Sequence, residues 1–518
     1  MGIIAGNISV IICLDIFLIL LFSIFLRIML TNPKLYEINT RVWLKKINRK
    51  LSDLPFTFFT DLAQKGINIV WLMGLWKTTS GTIEKYCFTQ ELVNSYDKAL
   101  KGWKKEDVIG SPYSIDEYDV NPELGSWEDL IDLKRRLNNI GIKLLLDFVP
   151  NHFSVESRVL KTHSDIFLQA DEELYQKDPF TFFKNPFNPK MILAHGRDPL
   201  FPAWQDTVQV NYFNTNARDY LCKILLKLVE VCDGVRCDMA MLPLNNVFFN
   251  TWVGVLNKTN FIKPLDEFWE MAIKTVKGTN SSFIFLAEAY WDLEWDLQQL
   301  GFDFTYDKRL ADRLASEYLP EVIAHLKAGK EFQNKLARFI ENHDEPRAVT
   351  KFGKFRSLAA ATVISTIQGM RFYYDGQFEG KKIKLPVQLG KEPEERLSNT
   401  IRKYYEKLLN ITKEDIFTQG EWELLEPITV GNGNLSYENF LAWQWSYKNA
   451  RGLVVINYSE STSQCRIKIE TSSKRDFIIL QDQLNGKVFD RSMSEIKNPG
   501  LFIELKGYAS HIFTFNEL

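Results

Sequence analysis

The fold class of this chain is decided by a short apolar run that ends in a carboxylate, Leu144-Leu145-Leu146-Asp147. Three further runs end in the same way: Gly234-Val235-Arg236-Cys237-Asp238, Phe283-Ile284-Phe285-Leu286-Ala287-Glu288 and Arg338-Phe339-Ile340-Glu341-Asn342-His343-Asp344. Such a run between helical segments is typical of a strand buried on both faces, as in parallel α/β sheets. Acidic residues at the C-terminal ends of these strands lie where barrel enzymes place their chemistry.

A single acidic residue after a strand is weak evidence, because helix N-caps and solvated loops also use Asp. Four such ends in succession are harder to explain in that way. Two of the runs also carry a histidine, in Asn151-His152 and Asn342-His343, and another carries Arg236. These neighbours favour a catalytic or binding site.

The composition fits an ordinary globular protein. A chain of 518 residues, 45% hydrophobic and 25% charged, is long enough for one large barrel and a smaller domain. Its 63 basic and 65 acidic residues give a formal charge of −2, so nothing indicates a nucleic-acid partner. A neutral or weakly charged substrate fits this balance better.

The cysteines are scattered along the chain. They are Cys13, Cys87, Cys222, Cys232, Cys237 and Cys465. They include no close CxxC pair and no spacing typical of a metal site. We interpret them as reduced, buried thiols of a cytoplasmic protein.

The N-terminal segment, residues 8–30, is almost wholly apolar and long enough to span a bilayer. No Lys or Arg precedes it, which argues against a signal peptide. Two interpretations stay open: a membrane anchor, or an upstream stretch that precedes a true start at Met29. Both predict a cytoplasmic catalytic part. In the first case this part is tethered to the inner face of the membrane, because basic residues follow the segment.

Strands and helices alternate from Leu35 onward. Expected strands are 35–40, 67–72, 142–147 and 370–374, with others that end at Asp238, Glu288, Tyr306 and Asp344, and expected helices are 55–65, 126–139, 216–231 and 395–409. The stretch 153–209 breaks this rhythm with prolines and aromatic residues. It is too long for a passive loop and predicts a subdomain inserted over the site.

Beyond about Thr418 the pattern changes to period two, which predicts an antiparallel β domain. Its expected strands are 441–447, 452–458, 465–469, 477–480 and 511–515. The predicted domains are therefore the apolar segment 1–30, a barrel of 31–152 and 208–417, an insertion of 153–207, and a C-terminal β domain of 418–518.

Four segments resemble the signature regions of the α-amylase superfamily, glycoside hydrolase family 13. They are Asp147-Phe148-Val149-Pro150-Asn151-His152, Gly234-Val235-Arg236-Cys237-Asp238, Ala287-Glu288 and Glu341-Asn342-His343-Asp344. The likeness extends from about Leu35 to the end of the chain. It implies an α/β fold: a (β/α)8 TIM barrel, a domain B inserted after the third strand, and a C-terminal antiparallel β-sandwich domain.

The residues also suit glycosidic bond cleavage in their own right, since that reaction needs a carboxylate and a carboxylic acid on opposite sides of the anomeric carbon. Asp238 follows Arg236 by two, so both side chains lie on one face of the strand, and the guanidinium favours the ionised form. Asp238 is therefore the predicted nucleophile. Glu288 has apolar neighbours, including Ala289 and Trp291, which should raise its pKa and suit a general acid and base.

The resemblance implies further roles around the same sugar. Asp344 would bind its hydroxyls as the third catalytic residue, and His152 and His343 would donate hydrogen bonds to it. Tyr113 resembles the aromatic platform below the ring. Arg236 would also bind substrate, and Asp147 would help to order the site.

Two departures from the family pattern concern calcium. Met241 and Leu242 stand where the family often carries a Lys-His pair, and Gln209 stands where the domain B motif usually carries Asp. Expected oxygen donors are thus replaced, and Asn151 alone is a thin basis for a metal site. We therefore predict no essential metal or other cofactor. Calcium is an alternative that the motif residues do not support.

These features predict a retaining α-glycosidase that hydrolyses α-glucosidic linkages in maltooligosaccharides or α-glucans by double displacement. A transglycosylase or a glucoside-isomerising synthase of the same family is an alternative, because acceptor choice is not visible in the sequence. A non-catalytic, amylase-like membrane partner protein is an alternative of another class. The predicted partner is an α-glucan or oligosaccharide, with membrane contact only through the N-terminal segment.

Overall fold

Eight parallel strands close into a barrel in the computed structural model, which describes residues 31–259, 261–469 and 475–516. The strands are β1 (Lys34–Asn39), β2 (Ile69–Met73), β3 (Lys143–Phe148), β4 (Gly234–Cys237), β5 (Ile284–Ala287), β6 (Phe304–Tyr306), β7 (Leu336–Arg338) and β8 (Met370–Tyr374). They follow one another in chain order around the barrel, and β8 pairs with β1 to close it. The predicted TIM barrel is confirmed.

Helices connect the strands and cover the outside of the barrel. They are Thr40–Ile47, Thr57–Gln64, Gly81–Tyr86, Gln90–Ala99, Trp127–Asn138, Thr215–Leu228, Asn245–Leu256, Phe268–Thr279, Glu294–Gln299, Lys308–Ser316, Leu319–Leu326, Lys330–Asn334, Ala348–Phe352, Lys354–Thr366, Asn399–Thr412 and Asp415–Thr418. The helix Trp127–Asn138 shows the local cause: Ser126 and Asp129 form a capping box at its start. Its leucines at the helical period are buried against the barrel.

Each barrel strand contributes to two cores, because successive side chains point to opposite faces. On β3, Leu144 and Leu146 belong to the large core between strands and helices. Leu145 belongs to the separate core inside the barrel, together with Leu35 and Leu286. Burial on both faces explains the continuous apolar runs in the sequence. By the same parity, Asp147 lies on the inner face.

The chain between β3 and β4 forms the expected insertion. Its first and last strands, His152–Ser154 and Thr207–Gln209, pair antiparallel, and we call this pair the stalk. Beyond the stalk the insertion has a three-stranded sheet of Gln169–Ala170, Phe182–Asn185 and Asn188–Ala194, with helices Val159–Thr162 and Glu172–Lys177. Between β2 and β3, the short strands Trp76–Thr78 and Ile115–Val120 also pair.

The C-terminal part is an antiparallel β sandwich of unequal sheets. Its strands are β9 (Glu421–Leu425), β10 (Phe440–Tyr447), β11 (Ala450–Asn457), β12 (Ser463–Ile467), β13 (Phe477–Asp482), β14 (Lys487–Ser492), β15 (Leu501–Leu505) and β16 (Ser510–Asn516). Six form a sheet in the order β9-β10-β11-β16-β13-β14, and β12 pairs with β15. Leu453, Cys465 and Ile503 share one core between the two sheets. We propose 153–207 and 418–518 as the domain limits.

Several element predictions need correction. The seventh strand was expected to end at Asp344, but β7 ends at Arg338, so Glu341 to Asp344 lie on the following loop. The last barrel helix starts at the Ser398 N-cap instead of residue 395. Three sandwich strands are absent from the prediction: β9, β14 and β15. β9 and β14 are the edges of the large sheet, where polar residues replace the apolar alternation.

The apolar segment 8–30 and Cys13 lie outside the described residues. Within the described part of the chain, no helix combines the length and apolar character needed to cross a membrane. The five cysteines described there are buried and form no disulfides.

β4 and β5 lie so close at Gly234 that an added methyl group should destabilise the protein. A Cβ added to Gly234 would lie 2.4 Å from the carbonyl oxygen of Ile284 on the neighbouring strand. We expect Gly234→Ala to lower the free energy of unfolding by about 1–3 kcal/mol, because paired backbones would have to separate. Urea unfolding followed by circular dichroism measures this.

Gly254 provides the matched control. It lies inside the helix Asn245–Leu256, and a Cβ added there would meet nothing within 4 Å. Gly254→Ala should stabilise the protein by roughly 0.5–1 kcal/mol, because alanine is the better helix former. Equal effects of the two substitutions would contradict the packing described for β4.

Candidate active site

Strand register gathers acidic residues at the C-terminal end of the barrel. Arg236 of β4 lies beside Asp147 of β3 in the sheet. Asp238 follows the end of β4, and Glu288 follows the end of β5, which pairs with it. The exposed fractions of Asp147, Asp238 and Glu288 are only 2%, 7% and 4%. The structure therefore brings these predicted residues together in a buried cluster.

Arg236 is the centre of this cluster and is itself fully buried. Its Nη1 lies 2.5 Å from Asp238 Oδ1 and 3.8 Å from Asp147 Oδ1, and its Nη2 lies 2.7 Å from Glu288 Oε2. Its Nε donates to the hydroxyl of Tyr306 at 3.3 Å. One guanidinium thus contacts three carboxyl groups. Since a buried charge is costly unless it is paired, each group depends on the others.

Glu288 is held by two donors besides Arg236. The backbone N–H of Met239 donates to Oε2, and the hydroxyl of Tyr290 donates to Oε1, both at 2.8 Å. Met239 has φ 43°, in the left-handed region that a non-glycine residue adopts only at an energetic cost. Burial raises the pKa of Glu288 to about 7, against the opposing effect of Arg236. Glu288 therefore exchanges a proton near neutral pH.

Asp238 and Asp147 have different surroundings. Burial raises the pKa of Asp238, while Arg236 lowers it by direct contact. Burial also raises the pKa of Asp147, to about 7. Asp147 Oδ2 accepts the backbone N–H of Gly74 at 2.7 Å, and Oδ1 accepts the indole N–H of Trp71 at 3.2 Å. Asp147 thus ties the end of β2 to the site.

His343 lies between two carboxylates. Its Nδ1 is 2.5 Å from Glu37 Oε1, and its Nε2 is 2.9 Å from Asp344 Oδ2. Burial alone would lower the pKa of His343, but Asp344 and Glu37 raise it well above its usual value. The ion pair in turn holds the pKa of Asp344 well below its usual range, although burial opposes this. The Asp344 side chain is 47% exposed, so it faces the open end of the barrel.

The two remaining predicted residues, Tyr113 and His152, follow next to His343. Tyr113 stacks on the His343 ring at 5.6 Å, and its hydroxyl lies 2.7 Å from His343 Nε2. His152 lies one step further away, at the start of the stalk. Its ring contacts Trp204 at 5.3 Å and hydrogen-bonds to the backbone of Tyr113. Burial lowers the pKa of His152 to about 4, so its ring is neutral.

Sequence reasoning missed Glu37, which is fully buried on β1. A signal was present: Glu37 lies two positions after Leu35, hence on the inner face, and a charged residue in a buried strand is unusual. Tyr290, Tyr306 and the Met239 N–H were also missed as contacts. No sequence signal marks them, because backbone direction at Met239 and ring placement depend on the folded barrel.

The positions relevant to calcium are now visible. Met241 and Leu242 are buried and apolar. In the described ranges, no three or more His, Cys, Asp or Glu residues are grouped as a metal site. Asn151 and Gln209 do meet, but the amide nitrogen of Gln209 faces the oxygens of Asn151. The residues present therefore fit an N–H donor better than a calcium ion.

The chain is similar in sequence to known amylases. A family model described as alpha amylase, catalytic domain, matches residues 66–231. Alpha-amylase 3 of Dictyoglomus thermophilum is 24% identical over 301 residues, which cover 54% of this chain and 55% of that protein. A cyclomaltodextrinase of Thermoanaerobacter pseudethanolicus is 22% identical over 418 residues, which cover 77% and 64%. The chain thus spans about half to two thirds of the length of these relatives.

Solved structures share the fold over nearly the whole chain. A noncanonic maltogenic alpha-amylase from Thermotoga neapolitana has a TM-score of 0.66 at 21% identity, covering 94% of this chain and 99% of that one. The alpha-amylase from Geobacillus thermoleovorans, complexed with acarbose, has a TM-score of 0.64 at 17% identity, covering 94% and 98%. At these identities the solved structures show a shared fold. The family model over residues 66–231 and the curated relatives support the resemblance to the α-amylase superfamily, glycoside hydrolase family 13.

Proposed function

We propose that this protein is a retaining α-glycosidase that hydrolyses α-glucosidic linkages in maltooligosaccharides or α-glucans. The observation that carries the proposal is the ion pairing of Arg236 with both Asp238 and Glu288. Two carboxyl groups on the two amino nitrogens of one guanidinium lie close together, as the retaining mechanism requires. Relatives named as amylases and a cyclomaltodextrinase support the substrate class.

The first step forms a covalent intermediate. Oδ1 of Asp238 is held by Arg236, so the attack on the anomeric carbon falls to Oδ2. The bond from that carbon to the glycosidic oxygen breaks, and the leaving oxygen takes the proton of Glu288. The Met239 N–H and the Tyr290 hydroxyl keep the Glu288 carboxyl in a fixed orientation for this transfer.

The second step releases the sugar. Glu288, now ionised, removes a proton from water, whose oxygen attacks the same anomeric carbon and displaces Asp238. Two inversions leave the configuration unchanged. Asp344, exposed and ionised beside His343, would bind sugar hydroxyls, and the Tyr113 ring would lie below the sugar. Both steps use side chains of this chain only.

Substitution of the two carboxyl groups tests the roles separately. We expect Asp238→Asn and Glu288→Gln each to lower hydrolysis of maltoheptaose by roughly 10²–10⁴-fold or more. With α-glucosyl fluoride, Glu288→Gln should keep much of its glycosylation rate, because fluoride leaves without a proton. Asp238→Asn should stay inactive on both substrates. Burst-phase fluoride release measures this.

The control is Glu294→Gln, which changes another buried acidic residue on the helix after β5. It should leave both rates unchanged. Unchanged rates in Asp238→Asn or Glu288→Gln would reject the assigned roles. Products longer than maltoheptaose would instead favour a transglycosylase, and a wild-type protein inactive on every α-glucoside would favour the non-catalytic alternative.

The pKa of Glu288 predicts the basic side of the pH profile. Because the first step needs protonated Glu288, kcat/KM should fall as the pH rises through about 7. The Tyr290 hydroxyl stabilises the ionised carboxyl, so Tyr290→Phe should raise the pKa and move this limb to higher pH. Tyr318→Phe, at a residue 57% exposed, is the control. A limb that stays in place in Tyr290→Phe would contradict the assignment.

The carboxylate of Glu37 helps to keep His343 protonated. Glu37→Gln removes one of its two negative neighbours and should lower the pKa of His343. NMR of ¹⁵N-histidine-labelled protein measures the titration. In the wild type His343 should stay protonated above neutral pH, and Glu294→Gln should behave like the wild type. An unchanged titration in Glu37→Gln would show that Asp344 alone sets the charge of His343.

A further inference from the structure

We propose that the side-chain amide of Gln209 takes the place of a metal ion at the stalk and makes this junction independent of calcium. Gln209 ends the second stalk strand, opposite His152 in the register. Its side chain is fully buried, and Asn151 beside it is 1% exposed. The amide therefore lies where the insertion joins the barrel.

The contacts of the amide nitrogen resemble those of a cation. Gln209 Nε2 is 2.9 Å from Asn151 Oδ1, 3.0 Å from the Asn151 carbonyl oxygen and 3.0 Å from the Val210 carbonyl oxygen. An amide nitrogen carries two N–H donors and accepts nothing. Three oxygens thus surround one electropositive group, and the two protons are shared among them.

The oxygens suit this neutral donor and not a divalent ion. Calcium takes six to eight oxygen ligands, with carboxylates prominent among them. The oxygens around Nε2 belong to an amide side chain and two backbone carbonyls, and all are uncharged. An ion among so few neutral, buried oxygens would not offset the loss of its hydration shell. The family pattern usually places an aspartate carboxylate at this position, and this chain has the Gln209 amide there.

The orientation of the amide is fixed by its surroundings. Gln209 Oε1 is buried, and no partner for it is found in the described structure. A half-turn of the amide would place Oε1 against the three oxygens and remove every bond of Nε2. The unpaired Oε1 is therefore tolerated because the opposite orientation would leave more polar groups unpaired.

The same amide reaches the candidate active site through its neighbours. Asn151 Nδ2 lies 3.4 Å from His152 Nδ1, and the His152 ring hydrogen-bonds to the backbone of Tyr113. Gln209, Asn151, His152 and Tyr113 thus form one hydrogen-bonded series from the stalk to the sugar platform. A cation would hold Asn151 through its oxygens, and here the Gln209 N–H groups do so.

Melting of the wild-type protein is the first test. We expect the same Tm in EDTA and in calcium chloride, and no stoichiometric metal by mass spectrometry of the protein purified without chelator. A Tm that falls in EDTA and recovers with calcium would overturn the proposal. Neither measurement depends on catalysis, so this proposal and the proposed activity can fail separately.

Gln209→Glu is the second test, because it replaces the N–H donors by a charged oxygen of equal reach. We expect a lower Tm in EDTA and recovery in calcium chloride, since a carboxylate and three oxygens then face a common point. Gln298→Glu is the matched control. Gln298 is 1% exposed, its Nε2 donates to Thr305 Oγ1 at 2.9 Å, and its Oε1 is likewise unpaired.

Gln298→Glu should melt lower with no recovery in calcium. The proposal is overturned if Gln209→Glu melts like the wild type in EDTA, or if calcium restores both variants or neither. Should Gln209→Glu fail to fold, Gln209→Met replaces the amide by an apolar side chain of similar size. We expect it to melt lower in both solutions, and an unchanged Tm would overturn the proposal.

Discussion

The buried guanidinium of Arg236 is the group on which the site depends. It contacts Asp147, Asp238 and Glu288, which come from three neighbouring strands. None of these charges would be stable in the barrel interior alone, because water is excluded there. Their mutual pairing allows a reactive set of carboxyl groups inside a packed core. It also couples the groups, so that a change in one alters the proton affinity of the others.

A second buried cation, His343, is paired with carboxylates beside the Arg236 cluster. His343 is protonated between Glu37 and Asp344, and Tyr113 covers its ring. Two cations therefore face five carboxyl groups, of which Asp147 and Glu288 have pKa values raised to about 7. Protons on these two bring the buried site closer to neutrality. The same raised pKa gives Glu288 a transferable proton at ordinary pH, so the electrostatics that make burial tolerable also supply the proposed acid.

The stalk also contains buried polar atoms that need partners, but there the partner is a neutral amide. Its oxygens need an electropositive partner, and the Gln209 amide supplies N–H groups at hydrogen-bond distance. An amide is uncharged and needs no carboxylate partner. The three oxygens around Gln209 Nε2 include no carboxylate, so a neutral donor suits them. These contacts lie where the insertion joins the barrel. His152 and Tyr113 are connected to Asn151 by further hydrogen bonds.

The sequence alone determined the barrel and named most residues of the candidate site. Apolar runs show strands buried on both faces, and period two places Asp238 on the same face as Arg236. Local pattern does not determine which distant groups meet. Glu37 and His343 are 306 positions apart, and their pairing requires β1 to close the barrel near β7 and β8. Likewise, the turn at Met239 and the loop after β7 depend on packing between neighbouring strands. These contacts were decided only by tertiary structure, because register and loop direction are set by long-range packing that no single segment encodes.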